Sequence, residues 1–214
     1  MLPFHIKMEI LFENKNLIFA VKPRGISSQS TESADMISIL SERTGTDIFC
    51  VHRLDIATGG VMVYAKNKKY AALLSSAFAE NSVDKRYLAI VCGAPRKSGT
   101  LEDILWHDKT KNKSFVVKSE RKGAKYAKLE YNTIAEKEID GALYTLVEIK
   151  LYTGRTHQIR VQFASRGYPL AGDGKYGGKS GYPLMLWCSS LTLPNGMSYS
   201  CPPPENESLW SEFI

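Results

Sequence analysis

Val51-His52-Arg53-Leu54-Asp55-Ile56-Ala57-Thr58-Gly59-Gly60-Val61-Met62-Val63-Tyr64-Ala65-Lys66 sets a charged loop against the start of a strand. His52, Arg53 and Asp55 fall within four residues, and the apolar run Val61–Ala65 follows two glycines. Paired glycines permit a sharp backbone reversal that residues with a Cβ resist. A loop anchored in a sheet on its far side holds a reactive group still. The competing reading makes Asp55 a turn cap and Arg53 its ion-pair partner at the surface.

Working outward, Leu17–Val21 reads as a buried strand that ends in the turn Lys22-Pro23-Arg24-Gly25, and residues 1–10 as a leader strand or tail. Residues 33–44 predict a helix capped by Ser33, with Met36, Ile37, Ile39 and Leu40 on its apolar face and Gly45 at its end. On the other side, Lys68–Glu80 predicts a helix, because Tyr70, Leu73, Leu74, Ala77 and Phe78 recur at helical spacing. Tyr87–Cys92 is a second buried strand. Residues 96–125, with nine Lys or Arg among thirty positions, read either as a solvated arm or as a nucleic-acid-facing loop. Alternation from Tyr126 to Leu151, with Asp140-Gly141 midway, predicts a hairpin. Thr156–Ser165 predicts a helix capped by Thr156 and ended by Gly167, and Leu184–Cys188 a last strand. Strands and helices mix without strict alternation, which favours an α+β domain with a largely antiparallel or mixed sheet. No internal repeat or linker stands out, so residues 1–214 are expected to form a single domain.

Composition bounds the function. The chain has 214 residues, 43% hydrophobic and 23% charged, as in an ordinary globular protein. A net charge of +6 suits a polyanionic partner such as RNA without demanding one. Cys50, Cys92, Cys188 and Cys201 lack the spacing of a zinc or redox site and read as reduced thiols of a cytoplasmic protein. Cys188 and Cys201 leave one bridge open in principle. Lys7 and Glu9 interrupt any signal-peptide core, and no apolar run approaches the roughly 20 residues that span a bilayer.

Two further charged stretches matter. Gly154-Arg155-Thr156-His157-Gln158-Ile159-Arg160 opens the predicted helix, with Arg155 beside free backbone N–H groups. Lys85-Arg86-Tyr87 opens an apolar strand. Each alone reads as ordinary structure. Together with His52–Gly60 they resemble the ordered motifs of the RluA-type RNA pseudouridine synthases: H-R-L-D-x-x-T-(S/G)-G, then K-x-Y-x-A at Lys85–Ala89, then T-G-R-T-H-Q-I-R at Thr153–Arg160. The last runs on through Gly167-Tyr168-Pro169-Leu170-Ala171-Gly172-Asp173 to Tyr176-Gly177, and Lys22-Pro23-Arg24-Gly25 resembles the family's opening turn. The likeness covers about residues 9–204.

The resemblance implies a mixed, mainly antiparallel sheet flanked by helices around a central catalytic cleft. It implies an isomerase that detaches uracil from C1′ of a uridine in rRNA or tRNA, rotates it and rejoins it through C5. Asp55 then corresponds to the catalytic carboxylate, Tyr87 to the tyrosine of the uracil pocket and Arg160 to the basic partner of Asp55. The residue types suit these tasks: a carboxylate is anionic at neutral pH, a guanidinium fork binds it at two points, and a phenol offers a stacking face and a proton. The target base has to leave its stack, at a cost of a few kcal/mol. His52, Arg53, Arg155, His157, Arg166, Lys175 and Lys179, with the basic arm at 109–125, are candidate contacts to substrate or RNA. A redox-neutral isomerisation calls for no metal, nucleotide or other cofactor, and no P-loop or G-x-G-x-x-G stretch is present. A monomer with no membrane partner is expected. Gly59 stands where the family commonly has Ser, and Ile56-Ala57 removes charge beside Asp55. The N-terminal part looks too short for the S4 RNA-binding domain of many relatives. The alternatives are a non-catalytic RNA-binding or RNA-chaperone protein on the same fold and, more weakly, a glycosidase, which needs a second carboxylate that no motif supplies.

Overall fold

The computed structural model describes residues 8–31, 34–119, 121–178, 181–205 and 208–214. In chain order these form β1 (Ile10–Glu13), β2 (Leu17–Lys22), α1 (Met36–Thr44), β3 (Phe49–Cys50), β4 (Gly59–Ala65), α2 (Lys68–Ala79), β5 (Asp84–Cys92), β6 (Ser98–Asp108), β7 (Lys113–Val117), β8 (Lys125–Ile139), β9 (Ala142–Leu151), α3 (Gln158–Ala164), β10 (Leu186–Thr192), β11 (Ser198–Ser200) and a 3-10 turn at Ser208–Glu212. They gather into two compact units, Met1–Lys85 with Trp187–Pro203 and Arg86–Leu186 with Pro204–Ile214. The chain is α+β, with few helices and a mixed, mainly antiparallel sheet.

In the first unit β4 is central. It pairs antiparallel with β2, from Leu17↔Ala65 to Lys22↔Gly60, and parallel with β10 through Trp187↔Gly59 and Cys188↔Gly60. Every residue of β2 and β4 is buried, so the apolar run of β4 is continuous instead of alternating. Gly59 and Gly60 are the first residues of this strand and not the expected reversal. Gly60 has φ 125°, and a Cβ there would lie 2.3 Å from the Cys188 carbonyl oxygen; one at Gly59 would strike the Trp187 ring. The glycines let β10 approach.

Asp35 caps α1, its carboxylate accepting the Ser38 N–H at 2.9 Å. The expected cap Ser33 lies outside the described residues, as does most of the leader at 1–10. On α2 the buried face narrows to Leu74 and Ala77, and Leu73 points to solvent.

The second unit is an antiparallel sheet, ordered β5-β9-β8-β6-β7. The hairpin β8–β9 turns at Asp140-Gly141, both with positive φ, as a tight two-residue loop requires. The stretch 96–125 is largely strand: β6 and β7 form a second hairpin. Leu101 and Leu105 of β6 and Ser114 of β7 are its buried residues, and two leucines four residues apart are a sparse signal in a stretch rich in Lys and Arg. Leu105, Ala127 and Val161 pack α3 against that face, with Val116 and Tyr176 beside them.

The helix starts at Gln158, later than expected, because His157 takes a left-handed conformation at φ 54°. Thr156 does not cap it. Its carbonyl instead accepts the Ser114 hydroxyl at 2.6 Å. Gly167 closes the helix through its N–H to the Ala164 carbonyl. The strand expected at Leu184–Cys188 runs later, from Leu186 to Thr192, and the short β11 follows it.

Candidate active site

Asp55 sits at the head of a turn closed by the Thr58 N–H on its carbonyl at 2.9 Å. The turn is gripped on both sides. The Ser28 hydroxyl donates to the Leu54 carbonyl at 2.9 Å and accepts the Leu54 N–H at 3.1 Å. On the other side the Gly25 N–H reaches the Ile56 carbonyl at 2.8 Å. The Lys22 ammonium, wholly buried, donates to the carbonyls of Pro23 at 3.0 Å, Ile26 at 2.7 Å and Ile56 at 3.3 Å. Three donors thus meet three acceptors, which is the full valence of the group. Burial pushes the Lys22 pKa down to about 8, and the Asp55 carboxylate opposes that shift. The Lys22-Pro23-Arg24-Gly25 turn is therefore the bracket of the Asp55 loop, a task that sequence reasoning gave to neither Lys22 nor Ser28.

His52 works inside the fold. Its ring stacks on Phe78 with centroids 4.2 Å apart, and its Nε2 accepts the Val63 N–H at 3.1 Å. Burial, helped by the Lys85 ammonium, pushes its pKa down to about 3, so the ring is neutral. This geometry gives it a structural task within the first unit, beside any RNA contact it makes. Arg53 stays exposed and donates to Gln29 Oε1 at 3.2 Å.

In the second unit Tyr87 is buried on β5, opposite Ile149. Arg160 makes a two-point contact with buried Asp173: Nε to Oδ2 at 2.7 Å and Nη2 to Oδ1 at 2.8 Å. Its guanidinium carbon lies 5.2 Å from the centre of the Tyr176 ring. The Tyr176 oxygen accepts the Ser114 N–H at 2.7 Å and shares a proton with His157 Nδ1 at 2.9 Å. Burial pushes the Tyr176 phenol upward. Asp173 and Tyr176 thus fix Arg160 and join the β6–β7 hairpin to α3.

A family of RNA pseudouridylate synthases matches residues 16–165. The chain belongs to this family, among its RluA-type members. An uncharacterized RNA pseudouridine synthase of Aquifex aeolicus is 35% identical over 83% of this chain and 58% of its own length. The ribosomal large subunit pseudouridine synthase D of Borreliella burgdorferi is 32% identical over 91% of this chain and 63% of its own. The tRNA pseudouridine synthase C of Haemophilus ducreyi is 31% identical, covering 80% and 75%. Among solved structures, human RNA pseudouridylate synthase domain containing 1 superposes with a TM-score of 0.81 at 24% identity, over 95% of this chain and 87% of that one. The chain spans about three fifths of the length of the curated relatives it matches first, 61% and 58%.

Seen as a family member, the chain uses several motif residues as fasteners. Arg155 Nε donates to the Tyr126 carbonyl at 2.9 Å, and Lys175 to the Asn112 carbonyl at 2.8 Å. Arg166 pairs with Asp103 at 2.9 Å. Arg155 and Arg166 tie the α3 region to the sheet, Lys175 ties the loop after α3 to the β6–β7 turn, and His157 holds Tyr176, beside any RNA contact they make. Lys179 lies outside the described residues. Asp173, Tyr176 and Gln158 stood within the quoted motifs, but no spacing rule assigned them partners. Among the described residues no group of three or more His, Cys, Asp or Glu is placed to hold a metal ion, and no helix is long and apolar enough to cross a membrane.

Proposed function

We propose that this chain converts uridine in structured RNA, ribosomal or transfer, to pseudouridine, and that both units act as one catalytic domain. The observation that carries the reading is the bracketed Asp55 turn, whose backbone is gripped at Leu54 on one side of the carboxylate and at Ile56 on the other. Asp55 acts as the nucleophile on the electron-poor C1′ or C6 of a uridine flipped from its stack. Tyr87 offers a ring face to the uracil and a phenol to move the C2′ proton. Arg160, set by Asp173, is the basic residue of the catalytic set. The relatives named for ribosomal and transfer RNA support the substrate class. The protein acts as a monomer in the cytoplasm, a reading supported by four cysteines without the spacing of a disulfide or metal framework.

The test is tritium release from RNA labelled at C5 of uridine. Wild type releases it, whereas Asp55→Asn does not and still binds the RNA. Full release by Asp55→Asn would refute the assignment. Rescue of a deletion strain by that variant would favour a chaperone instead.

A further inference from the structure

The outer face of β6, β7 and β8 carries aromatic rings where a solvated sheet face usually carries polar side chains. Trp106 stands opposite Phe115, and Ile104 opposite both Val117 and Tyr126. Leu105, Ala127 and Val116 occupy the other face, against α3, so these rings point away from it. Phe115 is 36% and Tyr126 46% exposed. A shallow depression of about 350 Å³ lies here, lined in part by Ile104, Val117, Lys118 and Tyr126. The Arg121 guanidinium lies over the Trp106 ring at 3.5 Å. Glu102 borders the depression, and the Lys128 ammonium offsets it at 3.1 Å.

Charge decides what this face suits. Residues 109–125 hold seven of the chain's 28 Lys and Arg but one of its 22 Asp and Glu. The entire net charge of +6 therefore resides in this stretch, and the rest of the chain is balanced. Protein interfaces are depleted in lysine. Stacking rings bordered by cations fit a polyanion with flat faces, which is single-stranded RNA.

We propose that this face is a second RNA-binding surface, where unpaired bases of the substrate stack on Phe115, Tyr126 and the Trp106–Arg121 pair while the lysines of 109–125 take the phosphates. It rests on the RNA reading above and adds a site to it. The register Tyr87–Ile149–Tyr131–Gly99 puts Tyr87 on the opposite face of this sheet. Bases held here are therefore not the base that reacts. An RNA strand reaching both faces passes over β7, the outer strand, whose turn carries Lys109 and Lys111.

The test measures binding of a short fluorescein-labelled oligouridylate and of a duplex RNA of equal length. Phe115→Leu with Tyr126→Leu keeps charge and apolar area but removes the rings. It is expected to weaken oligouridylate binding about tenfold and leave the duplex unchanged. If the double variant melts early, Tyr126→Leu alone is expected to show a smaller loss of the same selectivity. Unchanged binding, an equal loss on the duplex, or competition by polyglutamate as strong as by oligouridylate would overturn the proposal. Tritium release by wild type is scored separately. Release without ring-dependent binding sinks this surface alone, and ring-dependent binding without release sinks the enzyme reading alone.

Discussion

Lys22 carries an ammonium where the fold leaves it no water, and that makes it the residue whose replacement says most. Lys22→Met keeps the apolar stem, leaves the carbonyls of Pro23 and Ile26 without this donor, and leaves Ile56 with the Gly25 N–H alone. A buried polar group left without its partner costs roughly 1–3 kcal/mol. The variant is expected to melt lower and to lose turnover more than RNA affinity, since Ile56 adjoins Asp55. The pH dependence has a definite sign. The folded pKa of about 8 lies below the ordinary lysine value of 10.5, so between those limits the unfolded chain binds more protons than the folded one. Wild-type stability should therefore rise relative to Lys22→Met as pH climbs from about 8 to 10.5, while activity falls as the neutral amine loses a donor. Parallel urea-unfolding curves of the two proteins across that range would sink this account. The same logic runs in acid for His52, whose folded pKa of about 3 lies below its usual 6.5. Stability contributed by the neutral ring is lost as pH falls through that window, and His52→Gln should flatten the loss in acid-unfolding titrations.

At the scale of elements, close approach between strands is as restrictive as any side-chain contact. Gly60→Ala places a Cβ against the backbone of Cys188 and forces an alanine to φ 125°. A cost of about 3 kcal/mol or more is expected in chemical denaturation. A loss below about 1 kcal/mol would mean that β4 and β10 separate easily. The sequence was most legible where periodicity was strong: the β8–β9 hairpin with its Asp140-Gly141 turn, and α2. It was least legible at β6 and β7, where two leucines four residues apart are a sparse signal between Lys- and Arg-rich loops, and at the start of α3. There Thr156 looks like a cap, but His157 turns left-handed and Tyr176 holds it. That hold can be tested. Tyr176→Phe removes the acceptor of the Ser114 N–H, so hydrogen exchange at that amide should speed up while β8–β9 stays protected.

At the scale of the molecule, motif order revealed the family and the candidate residues, but not the division of labour among the charges. Arg155, Arg166 and Lys175 look like RNA contacts because they are basic and stand in the motifs, yet each also fastens one element to another. No periodicity reports such a partner, because the partners lie far away in sequence and meet only once the sheet is built. The net charge follows a different rule: outside residues 109–125 the chain balances to zero. Long-range attraction to RNA then depends on one hairpin and its following loop, and counterion release should be local to it. Each phosphate contact to single-stranded RNA contributes about 0.7 to the slope of log affinity against log salt. Replacing Lys109, Lys111 and Lys122 by Gln should therefore lower that slope by about 2 and slow association, with turnover of saturated RNA unchanged. Removing as many exposed lysines elsewhere, at Lys15, Lys68 and Lys69, should leave the slope where it was. Equal slopes for the two triple variants would show that RNA is drawn to the whole surface and not to this arm.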